Sequence, residues 1–177
     1  MAEAALAANQ SLDFWTVYGP SLVETGAILI TALVAILVAV RAIMNERAIA
    51  RTSLAFESFS RTLWDRDYLK ARKKFIEIRN SGDDPAKWSA VEQDASAEVE
   101  AMRSILNYYE TMAIGIENEI LDEGFLFKAF RGALLRDWNA AEAFIVAMRK
   151  RLDNDQLFIK TQKLAERWTD LKPGALQ

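Results

Sequence analysis

Residues 25–40 read TGAILITALVAILVAV, with no charge and one hydroxyl beyond the opening Thr. A helix needs about 20 predominantly apolar residues to cross a bilayer. Extending the run to residues 21–44 reaches that length and takes in only Glu24 and Arg41, one at each edge. Nearly every face of the run is apolar, unlike the one-sided stripe of a soluble surface helix. The pattern predicts one transmembrane helix over 21–44 behind a short extracytoplasmic leader over 1–20. Two rivals are a buried core helix and a cleaved signal peptide. A signal peptide favours a basic start, and this start is acidic and alanine-rich. Phe14, Trp15 and Tyr18 cluster before Pro20. Such rings suit the membrane–water boundary, and Pro20 suits the first turn of a helix.

Ala27, Thr31, Ala35 and Ala39 fall four apart within the run, opposite Leu29, Leu33, Leu37 and Val40. A small-residue stripe lets helix backbones approach closely in lipid. It predicts self-association or docking to a partner's membrane helix. The bland alternative is that alanine is common in membrane helices. Glu24 reads as a boundary charge that snorkels to the interface.

Beyond the run, no Pro and no Gly other than Gly26 occurs between 21 and 80. A continuous helix can therefore run on through a juxtamembrane stretch, 45–64, with Ile43, Ile49, Leu54, Phe56 and Phe59 as its apolar set. Asp65 or Asp67 offers a cap, which predicts a bend near Trp64. A second helix comes next over 68–80, burying Leu69, Phe75, Ile76 and Ile78 and keeping Lys70, Arg72, Lys73 and Lys74 in solvent. Ser81-Gly82-Asp83-Asp84-Pro85 ends it. Then Val99, Met102, Leu106, Tyr109, Ala113, Ile116 and Ile120 alternate in steps of three and four, widened by Ile105 and Met112. That is a heptad-like face built for packing on other helices, with Gly124 as its stop. A short helix carrying Phe125, Phe127, Phe130 and Leu134 comes after it. Another starts near Asp137, with Phe144, Ile145, Met148 and Leu152 facing inward. Asp153-Asn154-Asp155 signals a turn. The last helix carries Phe158, Leu164, Ala165 and Trp168 and stops at Pro173-Gly174. No stretch alternates like an exposed strand. The chain is read as all-α: the membrane helix, then a cytoplasmic domain over 65–172 of about five or six bundled helices, with a tail over 173–177.

Composition narrows the chemistry. The 177 residues contain no Cys and no His. That removes disulfides, thiolate nucleophiles, the commonest general base and the commonest metal ligand. No cofactor is expected. All 22 basic residues lie after Val40, facing 22 of the 25 acidic ones. A nucleic-acid binder would show a basic excess, so none is expected as partner. Arg41, Arg47 and Arg51 come directly after the apolar run and nothing basic precedes it. Short basic flanks stay in the cytoplasm. The expected orientation is N-terminus outside and helical domain in the cytoplasm.

Among candidate sites, Glu119, Asp122 and Glu123, with Glu117 nearby, have the i, i+3, i+4 spacing of one helical face and could offer oxygen ligands to Mg²⁺ or Ca²⁺. The bland reading is a solvated helix end paired with Arg131 or Arg136. Arg136-Asp137-Trp138 joins two predicted helices. Asp137 can cap the second, and Arg136 can pair with Glu110 or Glu117 in a polar network. A ligand pocket beside Tyr108 and Tyr109 is the sharper alternative. The basic run 70–74 can meet anionic headgroups, or simply be solvated.

Three segments in order, DRDYLKARKKF (65–75), ILNYYETMAIGIENEILDE (105–123) and RGALLRDWNAAEAFIVAMR (131–149), resemble the bacterial family catalogued as domain of unknown function 4760. The resemblance implies a leading membrane helix and a cytoplasmic helical domain, and the expected placement is therefore a bacterial inner (cytoplasmic) membrane. It carries no activity and no catalytic residue. The function expected is therefore non-enzymatic: a membrane-anchored protein that assembles with itself or with a larger membrane complex, lipid and membrane protein being its partners. A sensor–effector of a stress or phage-defence system is the second reading. A membrane-face enzyme is the third, and weakest for want of His, Cys or a catalytic spacing.

Overall fold

The computed structural model describes residues 2–172. Among these, every regular element is helical: α1 (Ala2–Trp64), α2 (Arg66–Asn80), α3 (Ala97–Glu117), α4 (Glu123–Leu152) and α5 (Ile159–Asp170), with two short 3-10 turns at Pro85–Ser89 and Val91–Gln93. The Phe14 and Trp15 side chains and the stop at Pro173-Gly174 lie outside the described set. Two units are distinguished, Met1–Arg47 and Ala48–Gln177.

The first unit is the N-terminal part of α1. Its apolar window has a mean hydropathy of 2.7, long and apolar enough to cross a membrane. All described side chains from 27 to 47 are exposed. Pro20, expected at a first turn, lies inside α1 instead. An interior Pro disfavours a helix, but the Ala-rich stretch ahead of it consists of strong helix formers, and α1 already starts at Ala2.

The second unit is a helical bundle. The heptad face on α3 becomes its centre: Val99, Met102, Ile105, Leu106, Tyr109, Met112, Ala113 and Ile116 are all buried. Facing them are Leu126, Phe127, Phe130, Leu134, Phe144, Ile145 and Met148 of α4 and Leu164, Ala165 and Trp168 of α5. Caps fix the helix starts. Asp65 accepts from the Tyr68 N–H at 2.7 Å, Ser96 from Val99 and Asp122 from Phe125. Gly82 takes φ +75 after α2, a conformation that a Cβ would strain.

Four expectations are corrected. α3 stops at Glu117, not at Gly124. Glu119 adopts the left-handed conformation at φ 56, and the N–H groups of Ile120 and Leu121 return to the Gly115 carbonyl at 2.9 and 3.0 Å. Ile120 consequently falls off the heptad face and is exposed. The two helices predicted over 125–152 are one, α4. Gly132 is the only breaker in its interior, and Asp137 is satisfied by other elements rather than by capping. Leu69 and Leu152 are about half exposed, not buried. Arg72 and Lys74 are not free in solvent: Arg72 turns inward to Asp137, and Lys74 pairs with Glu98 at 2.8 Å.

Candidate functional site

The most concentrated chemistry in the bundle surrounds Asp137. Its carboxylate is fully buried in the middle of α4. Arg72 and Arg79, seven residues apart on α2, share one face of that helix and both reach it. Arg72 Nη1 donates to Oδ2, and Arg79 Nη1 donates to Oδ1 at 2.9 Å. The Tyr109 hydroxyl, from α3, donates to Oδ2 at 2.7 Å. One carboxylate thus ties three helices together. Burial, and then the Asp137 charge, raise the Tyr109 pKa strongly, so the phenol stays a protonated donor. Burial works against the charge on Arg72. The Asp137 hydrogen bond and the surrounding negative field outweigh it and raise its pKa. Both carboxylate oxygens are engaged, so this is a closed clamp and not an open acid–base centre.

The sequence placed Asp137 at a helix start with Arg136 as its neighbour in a polar network. Arg136 is exposed and makes no ion pair among the described residues. Of the true partners, Arg72 lay in a run that reads as a solvated basic face, and Arg79, beyond that run, was not singled out. Their i, i+7 spacing was the available signal.

Glu110 and Glu117 serve α5 instead. Phe158, at φ 57, supplies no side-chain cap to that helix. Glu110 supplies it from α3: its oxygens accept the N–H groups of Lys160 and Thr161 at 3.1 and 2.7 Å and the Thr161 hydroxyl at 2.7 Å. Glu117 pairs with Lys160 Nζ at 2.6 Å. At the other end, Arg131 donates to the carbonyls of Trp168 and Leu171 at 2.9 and 3.1 Å. Each end of α5 therefore meets the charge its dipole prefers.

The acidic group 119–123 does not share a helical face, because the chain turns between α3 and α4. Glu119 pairs with Arg51 at 3.6 Å. Asp122 caps α4 and accepts the Thr52 hydroxyl at 2.8 Å. Glu123 accepts the Trp168 indole N–H at 2.9 Å and pairs with Arg167. Among the described residues no three carboxylates converge as metal ligands would.

A groove of about 930 Å³ runs between α2 and α3 and is closed at one end by the last turn of α1. Tyr68 and Tyr108, ring centroids 5.1 Å apart, form that end. Burial pushes Tyr108 up to about 12. Lys70 and Lys73 line the α2 wall and Glu100, Ser104 and Asn107 the α3 wall. Tyr108 lines this groove, whereas Tyr109 turns into the clamp, and Arg136, Asp137 and Trp138 are not among the lining residues. On α1, the Thr31 hydroxyl donates to the Ala27 carbonyl at 2.8 Å, so the stripe with Ala35 and Ala39 presents apolar surface outward.

No curated protein and no solved structure gave a match. A family model does match, over residues 29–168, which covers α2 to α4, most of α5 and the α1 segment from Leu29 onward. The chain belongs to the family described as domain of unknown function 4760.

Proposed function

We propose that this chain is a single-pass membrane protein that holds its helical domain in the cytoplasm and assembles with itself or with a larger membrane complex. The observation that carries this reading is the apolar segment of α1, none of which is buried in the chain's own fold. In water such a segment would expose far more contiguous apolar surface than soluble monomers show. Lipid and a neighbouring helix are its natural surroundings. Arg41, Arg47 and Arg51 favour the cytoplasmic side for the helical bundle. The stripe of Ala27, Thr31, Ala35 and Ala39 supports close helix approach. The charged groups that converge in the bundle, Asp137, Arg72, Arg79 and Glu110, are engaged in the closed clamp and a helix cap, which favours a binding role over catalysis.

The chain has no cysteine, so introduced ones report cleanly. Ser11→Cys should react with an impermeant maleimide in intact cells, and Asp155→Cys only after lysis. The reverse pattern would invert the orientation. A chain that stays in the soluble fraction would end the membrane reading. Native mass spectrometry in mild detergent should find more than one copy, or a co-purifying chain. Ala35→Leu should weaken that association. A strict monomer without companions would refute assembly.

A further inference from the structure

The helices contribute unequally to the core of the second unit. α3 buries ten residues, α4 nine and α5 four, whereas α2 buries two, Phe75 and Ile78. α2 is also strongly polar, with six basic and two acidic side chains in 15 residues. Phe75 and Ile78 pack it on the core, with the partly buried Tyr68 and Ala71 beside them, and its polar ties are the Arg72 and Arg79 bonds to Asp137 and the half-buried Lys74–Glu98 pair. We propose that α2 is a latch: it docks and undocks as a unit, Asp137 is the catch, and α3, α4 and α5 stay folded when it opens.

Two observations support a unit that can leave. First, the partners of Asp137 divide sharply. Arg72 and Arg79 both come from α2, while Tyr109 comes from the core helix α3 and stays with Asp137 when α2 moves. Asp137 itself is fully buried, while the Arg72 and Arg79 side chains remain 18% and 19% exposed, so water touches the α2 side of the clamp. Second, α2 has a joint at each end. Asp65 alone separates it from α1, and Gly82 with positive φ comes after its C-cap. Losing one partner of a buried pair is costly because it strands the other charge. Here that cost falls on a helix that buries fewer residues than α3, α4 or α5. Local opening then precedes global unfolding. The latch depends on the bundle alone and not on the membrane reading.

Hydrogen exchange read by mass spectrometry on the full chain in detergent micelles tests it. In the unaltered protein, amides of 68–80 should exchange at least about tenfold faster than those of 105–112 in α3 and 161–168 in α5. Asp137→Asn should speed 68–80 by about a further tenfold and leave the other two segments within about threefold. Lys73→Ala, on the exposed side of α2, should change neither. If α2 and α3 exchange together in the unaltered chain, the latch does not exist. That comparison decides even if Asp137→Asn fails to fold. If Asp137→Asn speeds all three segments equally, Asp137 holds the whole core and is not a catch.

Discussion

The α5 helix start depends on a residue that lies about 50 positions earlier in the chain, which makes Glu110→Ala a sharp perturbation. Three hydrogen bonds go at once, two from backbone N–H groups of the first turn and one from the Thr161 hydroxyl. Thr161 is fully buried, so its hydroxyl loses a partner that bulk water does not readily replace. Loss of an N-cap typically costs about 0.5–2 kcal/mol, and a stranded buried polar group about 1–3 kcal/mol. These overlap, and a combined loss of about 3 kcal/mol is expected. For a domain of this size, about 3–4 °C accompanies each kcal/mol, so Tm should fall by about 10 °C. Glu117→Ala is the control, because it removes only the exposed pair to Lys160 and should cost under about 0.5 kcal/mol. Thermal unfolding followed by circular dichroism in detergent compares them. If Glu110→Ala falls within about 1–2 °C of Glu117→Ala, the cap across helices is not what seats α5.

The same geometry sets three other outcomes. A Cβ on Gly132 would meet nothing within 4 Å, so Gly132→Ala should stabilise α4 by about 0.5–1 kcal/mol in a denaturant titration; destabilisation would point to a contact outside the chain. A Cβ on Gly115 would come within 2.5 Å of the Leu121 side chain. Gly115→Ala should therefore cost about 1–3 kcal/mol, and part of the loss should return in Gly115→Ala/Leu121→Ala; additive costs would refute the clash. The Phe125 N–H, then the Thr52 hydroxyl, hold Asp122 below the usual carboxylate range, and the Lys74 ammonium does the same to Glu98. A depressed folded pKa gives stability that is complete above the unfolded value, near about 4, and lost as pH falls through the folded value. Tm should be level above about pH 5 and drop below about pH 4; a main loss between about pH 5 and 7 would exclude these carboxylates.

Long periodic patterns were readable from sequence, and long-range polar partnerships were not. The α3 face was legible because its step of three and four repeats over six buried positions, from Val99 to Ile116. The Asp65 cap and the joint after Trp64 were legible because capping is local chemistry. Asp137 was read as part of a buried polar network, but as a helix cap and beside the wrong partners. A cap and a buried carboxylate look alike until the guanidinium groups that neutralise it are placed, and those lie 65 and 58 residues away. Glu119 was misassigned because left-handed backbone is expected of Gly, and Gly124 stood close by as a decoy. Glu110 was assigned to the wrong partner for a similar reason. Nothing local marks a carboxylate on one helix as the cap of another.

Trp168 has a consequence for synthesis. It is fully enclosed, stacked edge-on against Phe127, and bonded through its indole to Glu123. Both of those neighbours leave the ribosome about 40 residues earlier. Until Trp168 emerges, α3 and α4 have an open wedge where its ring belongs. Premature termination between α4 and this tryptophan would leave a sticky intermediate, the kind of species that quality-control proteases clear.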